Sequence, residues 1–339
     1  MRVDLKRKRK RKWTRLALPV ATAANLAFLI GAYCFIARSP GGSGLAFGAA
    51  CVPFVLGIPL VPLMIWSLIT RRWWMVGLNV VATIFACVAL LGANVPMHRA
   101  ESSTGPTVRV LTFNIHQGAY GLRSLVEVIG AAKPDVICLQ EVNPTDRRGD
   151  CVDALARFLG GKWEIQRFAD CATLSRLPVT KWTRYNLPLH TGRGIVETTL
   201  SVNGRAFTVL NTHLSFNSSD RPAPYGESKL GKMARIELII SEQLEFVMDT
   251  AAATRTPVII AGDFNMPPLC APYRRMCSGY TDAFKAAGWG MGFTFTAKRP
   301  YQRIDYIFTD RLSRVSACYV PAKEASDHRP VVAEIAIGP

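Results

Sequence analysis

Three apolar stretches, at about residues 16–37, 45–69 and 75–95, fill most of the first third of the chain without a single Asp, Glu, Lys or Arg. Each has the roughly 20 residues that a helix needs to cross a hydrocarbon core. From residue 108 the pattern changes to short runs. Val108 to Phe113 alternates as a strand and ends at Asn114, and a helix over about 122–132 follows, stopped by Pro134. Asp135 to Gln140 reads as a strand ending at Glu141, and 151–159 as a second helix. Strands are expected near 163–168, 171–175, 180–186 and 194–202, with Asn203-Gly204 as a hairpin turn into a strand from Arg205 to His213. Residues 214–228 form a Ser-, Pro- and Asn-rich loop long enough to be functional. The spacing of Leu230, Met233, Ile236, Ile239 or Ile240, Leu244 and Val247 predicts one amphipathic helix from Ser228 to about Ala251. Pro257 then resets the chain into a buried strand, Val258-Ile259-Ile260. Strands interleaved with helices in this irregular way predict mixed α/β layers, as a mixed sheet or two stacked sheets rather than a doubly wound one.

Charge divides the chain at the same place as hydropathy. The net charge is +17; residues 1–98 carry twelve Lys or Arg and one acid (+11), which leaves +6 for residues 99–339. The high basicity therefore belongs mainly to the N-terminus and does not make the globular part a nucleic-acid binder. The expected organisation is a basic cytoplasmic tail (1–15), a membrane anchor (16–97), a polar linker (98–107) and a globular domain (108–339). A cleaved signal peptide also fits the first stretch, but two further spans close behind favour an anchor. Lys6 to Lys12 and Arg71-Arg72 are expected on the cytoplasmic side, which puts the domain after three spans on the extracytoplasmic side. Cys151 with Cys171, and Cys270 with Cys277 around a short loop, are compatible with disulfides in an oxidising compartment and equally with free thiols.

Polar residues close the apolar runs. Asn114, Glu141, His213, Asp263, Asn265, Asp305, Asp327 and His328 all sit where a strand hands over to a loop. Carboxylates, carboxamides and imidazoles gathered there suit a divalent metal and a phosphate ester. The stretches Leu-Thr-Phe-Asn-Ile (111–115), Cys-Leu-Gln-Glu-Val (138–142), Ser-Arg-Leu-Pro-Val (175–179), Asn-Thr-His-Leu (211–214), Ala-Gly-Asp-Phe-Asn (261–265), Arg-Ile-Asp-Tyr-Ile (303–307) and Ser-Asp-His-Arg-Pro (326–330) resemble the endonuclease/exonuclease/phosphatase superfamily. Any one motif is weak; seven in order are specific. The resemblance covers residues 108–337 and implies a four-layer α/β/β/α sandwich with the site on one rim. It implies that Glu141, Asn114 and Asp327 hold Mg²⁺, with Mn²⁺ as a substitute. It also implies that Asp263 orients or deprotonates water, that Asn265 holds a phosphate oxygen, and that Asp305 orients a cationic His328. His213 would contact phosphoryl oxygens or assist the leaving group.

Several residues have plainer readings. Asn211 reads as structural, Arg176 as structural, and His98, His116 and His190 as surface or loop residues, while Arg193 in its Gly-Arg-Gly turn is a candidate phosphate contact. The expected activity is a membrane-anchored, Mg²⁺-dependent phosphoesterase acting on nucleic acid or on a lipid or inositol phosphate. The alternative is a catalytically silent membrane-bound binding domain of the same fold.

Overall fold

The computed structural model describes residues 2–96, 105–142, 151–189, 192–216 and 223–339, with backbone alone for 2–15. Most of the expected linker, His98, His190, residues 217–222 of the polar loop and the side chains of the basic tail lie outside the described residues. Helix α1 (Arg2–Arg38) carries a 23-residue apolar window, Leu16–Arg38, and α4 (Trp73–Phe85) continues through a π-helical turn to give an 18-residue one, Trp73–Leu90. Both are long and apolar enough to cross a bilayer. The span expected over 45–69 is a bent pair, α2 (Gly44–Cys51) followed by a 3₁₀ turn (Pro53–Gly57) and α3 (Leu60–Ile69), with a 79° bend at the break. Pro53 explains it, because proline has no N–H to give and crowds the preceding turn. The third stretch also stops earlier than 95, where Gly92 takes a φ of +74° that few residues other than glycine adopt readily. Leu18, Leu63 and Met75 pack together, so the start of the α1 window and the start of α4 lie at one end of the bundle.

In β1 (Thr107–Asn114), Val108 and Val110 join one core and Leu111 and Phe113 another. A strand apolar on both faces has to be covered on both. The chain does this with two six-stranded mixed sheets. The first runs β11 (Arg314–Tyr319), β12 (Val331–Ala336), β1, β2 (Val136–Gln140), β4 (Cys171–Ser175), β3 (Glu164–Phe168). The second runs β5 (Val179–Asn186), β6 (Gly194–Val202), β7 (Arg205–His213), β8 (Val258–Asp263), β10 (Asp305–Thr309), β9 (Thr281–Asp282). β1 is parallel to β2 and β7 to β8; the other pairs are antiparallel. Helices α5 (Leu122–Ala132) and α6 (Cys151–Leu159) cover the first sheet, and α7 (Lys229–Ala252) and α8 (Ala271–Gly279) the second. The four layers follow the order α, β, β, α.

The apolar N-terminal helices are packed onto the outer layer rather than tethered beside it. Leu29, Phe47, Leu60 and Ala86 share one core with Ile240, Leu244, Tyr273 and Phe308. A Cβ on Gly44 would stand 1.8 Å from the Leu230 carbonyl oxygen, so α2 and α7 touch backbone to backbone. The Gly42 N–H donates to Glu237 Oε2 (2.8 Å), a carboxyl pushed up by burial and held back by the N–H bonds of Gly42 and Ala271. Arg274 donates to the carbonyls of Ile36 (3.0 Å) and Ser39, and Asn94 Nδ2 to those of Phe284 (2.9 Å) and Gly288 (2.7 Å). Among the described residues no disulfide joins Cys151 to Cys171 or Cys270 to Cys277. The segment expected as a short loop between Cys270 and Cys277 is helix α8, with Cys270 at its N-cap.

Candidate active site

The site is built by strand alternation. Facing the gap between the sheets are Val108 and Val110 of β1, Val136 and Cys138 of β2, Phe207 and Val209 of β7, Ile259 and Ala261 of β8, and Ile307 of β10. Every second residue lies on the same face, so each row runs on to a polar terminus: Asn114, Gln140, His213, Asp263 and Asp305. Register brings them level, since Asp263 pairs with His213 on one side and with Asp305 on the other. Gly262 makes this possible: a Cβ there would lie 1.9 Å from the Thr212 carbonyl oxygen. Below them Asn211, fully buried, accepts from Gln140 (2.7 Å) and donates to the carbonyls of Leu139 (3.2 Å) and Ala172 (2.9 Å), stitching the sheets together.

Asp263, 1% exposed, is the hub. Its Oδ2 accepts from Asn114 Nδ2 (3.0 Å) and stands 3.5 Å from His213 Nε2 and 3.8 Å from His328 Nε2; its Oδ1 accepts from the Asn265 backbone N–H (3.0 Å). Asn265 Nδ2 donates to the Leu214 carbonyl (2.8 Å) and lies 3.3 Å from His213 Nε2. Both imidazoles are held from behind. His328 Nδ1 meets Asp305 Oδ2 at 2.9 Å, and His213 Nδ1 meets Asp170 Oδ2 at 2.7 Å, with Arg193 Nη1 3.5 Å from the same oxygen.

Glu141 and Asp327 form a half-open mouth, with side chains 29% and 32% exposed. Asn114 Nδ2 donates to Glu141 Oε1 (2.9 Å), while His116 Nδ1 lies 3.4 Å from Glu141 Oε2 and 3.6 Å from Asp327 Oδ2. The two carboxylates therefore face one spot, and the Asn114 amide is beside it. Glu141, Asn265 and His116 all have positive φ (53°, 49° and 44°), a conformation that costs energy in side-chain-bearing residues and collects at functional sites. Oxygen donors at an open mouth are the chemistry of a hard divalent cation. Asp263, Asp305 and His328 also have ligand atoms within 4.8 Å of one another. Their closest pair, however, is an N–H to carboxylate bond, and burial, which alone would lower the His328 pKa, is overcome by Asp305 and Asp263, so that it rises to about 10. With His328 Nδ1 taken up by Asp305 and all three groups buried, the half-open pair of carboxylates at Glu141 and Asp327 is the better place for a hard cation. Burial likewise works against the Asp170 carboxylate, but the charge and hydrogen bond of His213 and the charge of Arg193 hold it below the usual range.

All eight residues at strand ends come together at this rim. Among the described residues, Arg193 meets it through Asp170. Two residues join that the sequence does not single out. His116, read as a surface or loop residue, stands between the two mouth carboxylates, and Asp170, in the turn between β3 and β4, carries no motif at all.

The family model described as Endonuclease/Exonuclease/phosphatase family matches residues 111–328. Among solved structures, an endonuclease/exonuclease/phosphatase from Beutenbergia cavernae is similar with TM-score 0.53 and 23% identity, covering 68% of this chain and 72% of that one. Truncated Caenorhabditis elegans TDP2 gives TM-score 0.52 and 21% identity over 68% and 97% of the two chains. A mannosyl-6-phosphatase of Bacteroides thetaiotaomicron gives 0.53 and 14% over 67% and 99%. A search of curated protein sequences found no match. The matched span runs from the middle of β1 to His328 and takes in every polar strand end of the rim. The chain belongs to the endonuclease/exonuclease/phosphatase family, whose members are metal-dependent phosphoric ester hydrolases.

Proposed function

We propose that the chain is a membrane-anchored, Mg²⁺-dependent phosphoesterase, and the observation that carries this is the convergence of Asn114, His213, Asn265 and His328 on the single carboxylate of Asp263. Water attacks phosphorus, the P–O bond to the leaving group breaks, and the leaving oxygen takes a proton. Glu141 and Asp327 would hold Mg²⁺, with Asn114 beside them. A bound divalent ion would neutralise charge building on the phosphoryl oxygens. Asp263 accepts the water proton and orients the nucleophile, with its lone pairs already directed by Asn114 and the Asn265 N–H. His328, kept cationic by Asp305, faces the negative phosphoryl group, and Asn265 donates to one of its oxygens. His213, backed by Asp170, serves the phosphoryl or leaving oxygen.

The anchor is taken as residues 16–97 and the catalytic domain as 108–339. The basic tail and Arg71-Arg72 are placed on the cytoplasmic side and the catalytic domain on the opposite one. This is supported by the contacts of Ile36, Ser39 and Asn94 with the catalytic domain, at the bundle end away from Leu18 and Met75.

Full-length protein in detergent with Mg²⁺ is expected to hydrolyse bis(p-nitrophenyl) phosphate or p-nitrophenyl phosphate, to stop in EDTA and to recover with Mg²⁺ or Mn²⁺. Asp263→Ala should lower kcat by about 10²–10⁴, the range for losing a general base. Equal rates in EDTA and in the variant would refute the reading.

A further inference from the structure

The loop from Thr294 to Gln302 touches both the site and the membrane segment. On the site side, Phe295 pairs with His328 in an isolated bridge and their rings lie 4.9 Å apart, Ala297 N–H donates to the Asp327 carbonyl (2.6 Å), and Arg329 N–H to that of Thr294 (2.7 Å). On the other side, Tyr301 packs on Phe295 (6.2 Å between centroids) and on Phe54 of the 3₁₀ turn after α2 (5.6 Å). Phe54 stands at a groove of about 460 Å³ between the Pro53–Ile69 arm and α4, lined by Leu60, Val61, Ala86, Leu90 and Leu91 among others. That volume is in the range of small-molecule sites. Phe295 and Tyr301 are each half-buried, so the two rings offer a partly open apolar path from groove to imidazole. Trp289 is 79% exposed next to Gly290, which pairs with Asn94 just beyond α4, a place suited to the membrane interface. Lys298 and Arg299, both exposed on the same loop, suit a layer of anionic headgroups.

We infer that the substrate is a membrane lipid phosphate ester whose hydrocarbon chain enters the groove beside Phe54 and crosses Tyr301 and Phe295, with its phosphate at Asp263 and His328. This rests on the phosphoesterase reading above. A water-soluble ester needs neither an apolar groove nor an aromatic path leading from it to the site.

The test uses the full chain in phosphatidylcholine vesicles containing phosphatidic acid or phosphatidylglycerol, with bis(p-nitrophenyl) phosphate as the soluble comparison. Val61→Trp and Gly57→Leu fill the groove; Val61 is exposed, and a Cβ on Gly57 meets only Leu60 Cδ1, at 3.9 Å. Each should lower the ratio of lipid to soluble-ester kcat/KM by about tenfold or more, because a chain kept out of the groove no longer positions its phosphate at Asp263. Val20→Trp, on the exposed face of α1, should leave the ratio unchanged. A photoreactive diazirine at the end of the phosphatidic acid chain should label Val61 and Leu91, which both line the groove, in preference to Val20 and Ile30. Even labelling across the helices, or an unchanged ratio in both groove variants, overturns the inference. Groove labelling in a protein that cleaves no ester would uphold the lipid site and sink the hydrolase reading instead.

Discussion

Gly262 holds two strands at a spacing that no side chain permits. Gly262→Ala pushes a methyl onto the Thr212 carbonyl and should destabilise the protein by about 1–3 kcal/mol, the usual cost of overpacking, read as a lowered Tm in detergent. Because Thr212 precedes His213 and Gly262 precedes Asp263, activity should fall further than folding does. Asp170 acts one step back, through His213. Asp170→Asn keeps the shape but removes the charge that both His213 and Arg193 face, and kcat should fall about ten- to a hundredfold, as for partners behind a working ligand. Asp263, Asp305 and His328 can be read from the sequence because each adjoins a short apolar run and strand alternation dictates where such a residue ends up. Asp170 cannot, since a lone Asp in a turn looks like any turn residue and its partner lies 43 positions away. His116 has the same problem: nothing in its neighbourhood announces Glu141 or Asp327.

At the scale of elements, period-two and period-3.6 patterns locate most strands and helices to within a residue or two. They say nothing about what an apolar helix packs against. An uncharged run reads alike whether lipid or protein covers it, so the stretch over 45–69 looks like one span, and its break and the docking of α2 on α7 stay hidden. Gly44 is the sharpest test of that contact. Gly44→Leu sets atoms into the α7 backbone at Leu230 and should separate the two helices, costing about 1–3 kcal/mol or more. Hydrogen exchange should then speed up in α2 and α7 while β1 and β8 remain protected.

For the molecule as a whole, the sheet orders were not legible, because pairing between distant strands leaves no local signature, whereas the existence of stacked layers was. The larger consequence concerns how separable the parts are. Residues 108–339 read as a domain that a linker sets free, yet α7 presents Leu230 and Met233 to Gly44 and Gly48. A protein lacking residues 1–96 should therefore expose that face and aggregate on size-exclusion chromatography without detergent, while the full chain in detergent elutes as one sharp species. A soluble, active truncation would count against the shared core.

Arg274 sets a timetable. Its guanidinium closes on the carbonyls of Ile36 and Ser39, which leave the ribosome more than two hundred residues earlier. Until α7 and α8 have been made, the first helices have no partner for their inner surface, and they wait half-assembled while the rest of the polypeptide is synthesised. Whatever carries the nascent chain through that interval shields an apolar face that the finished protein hides.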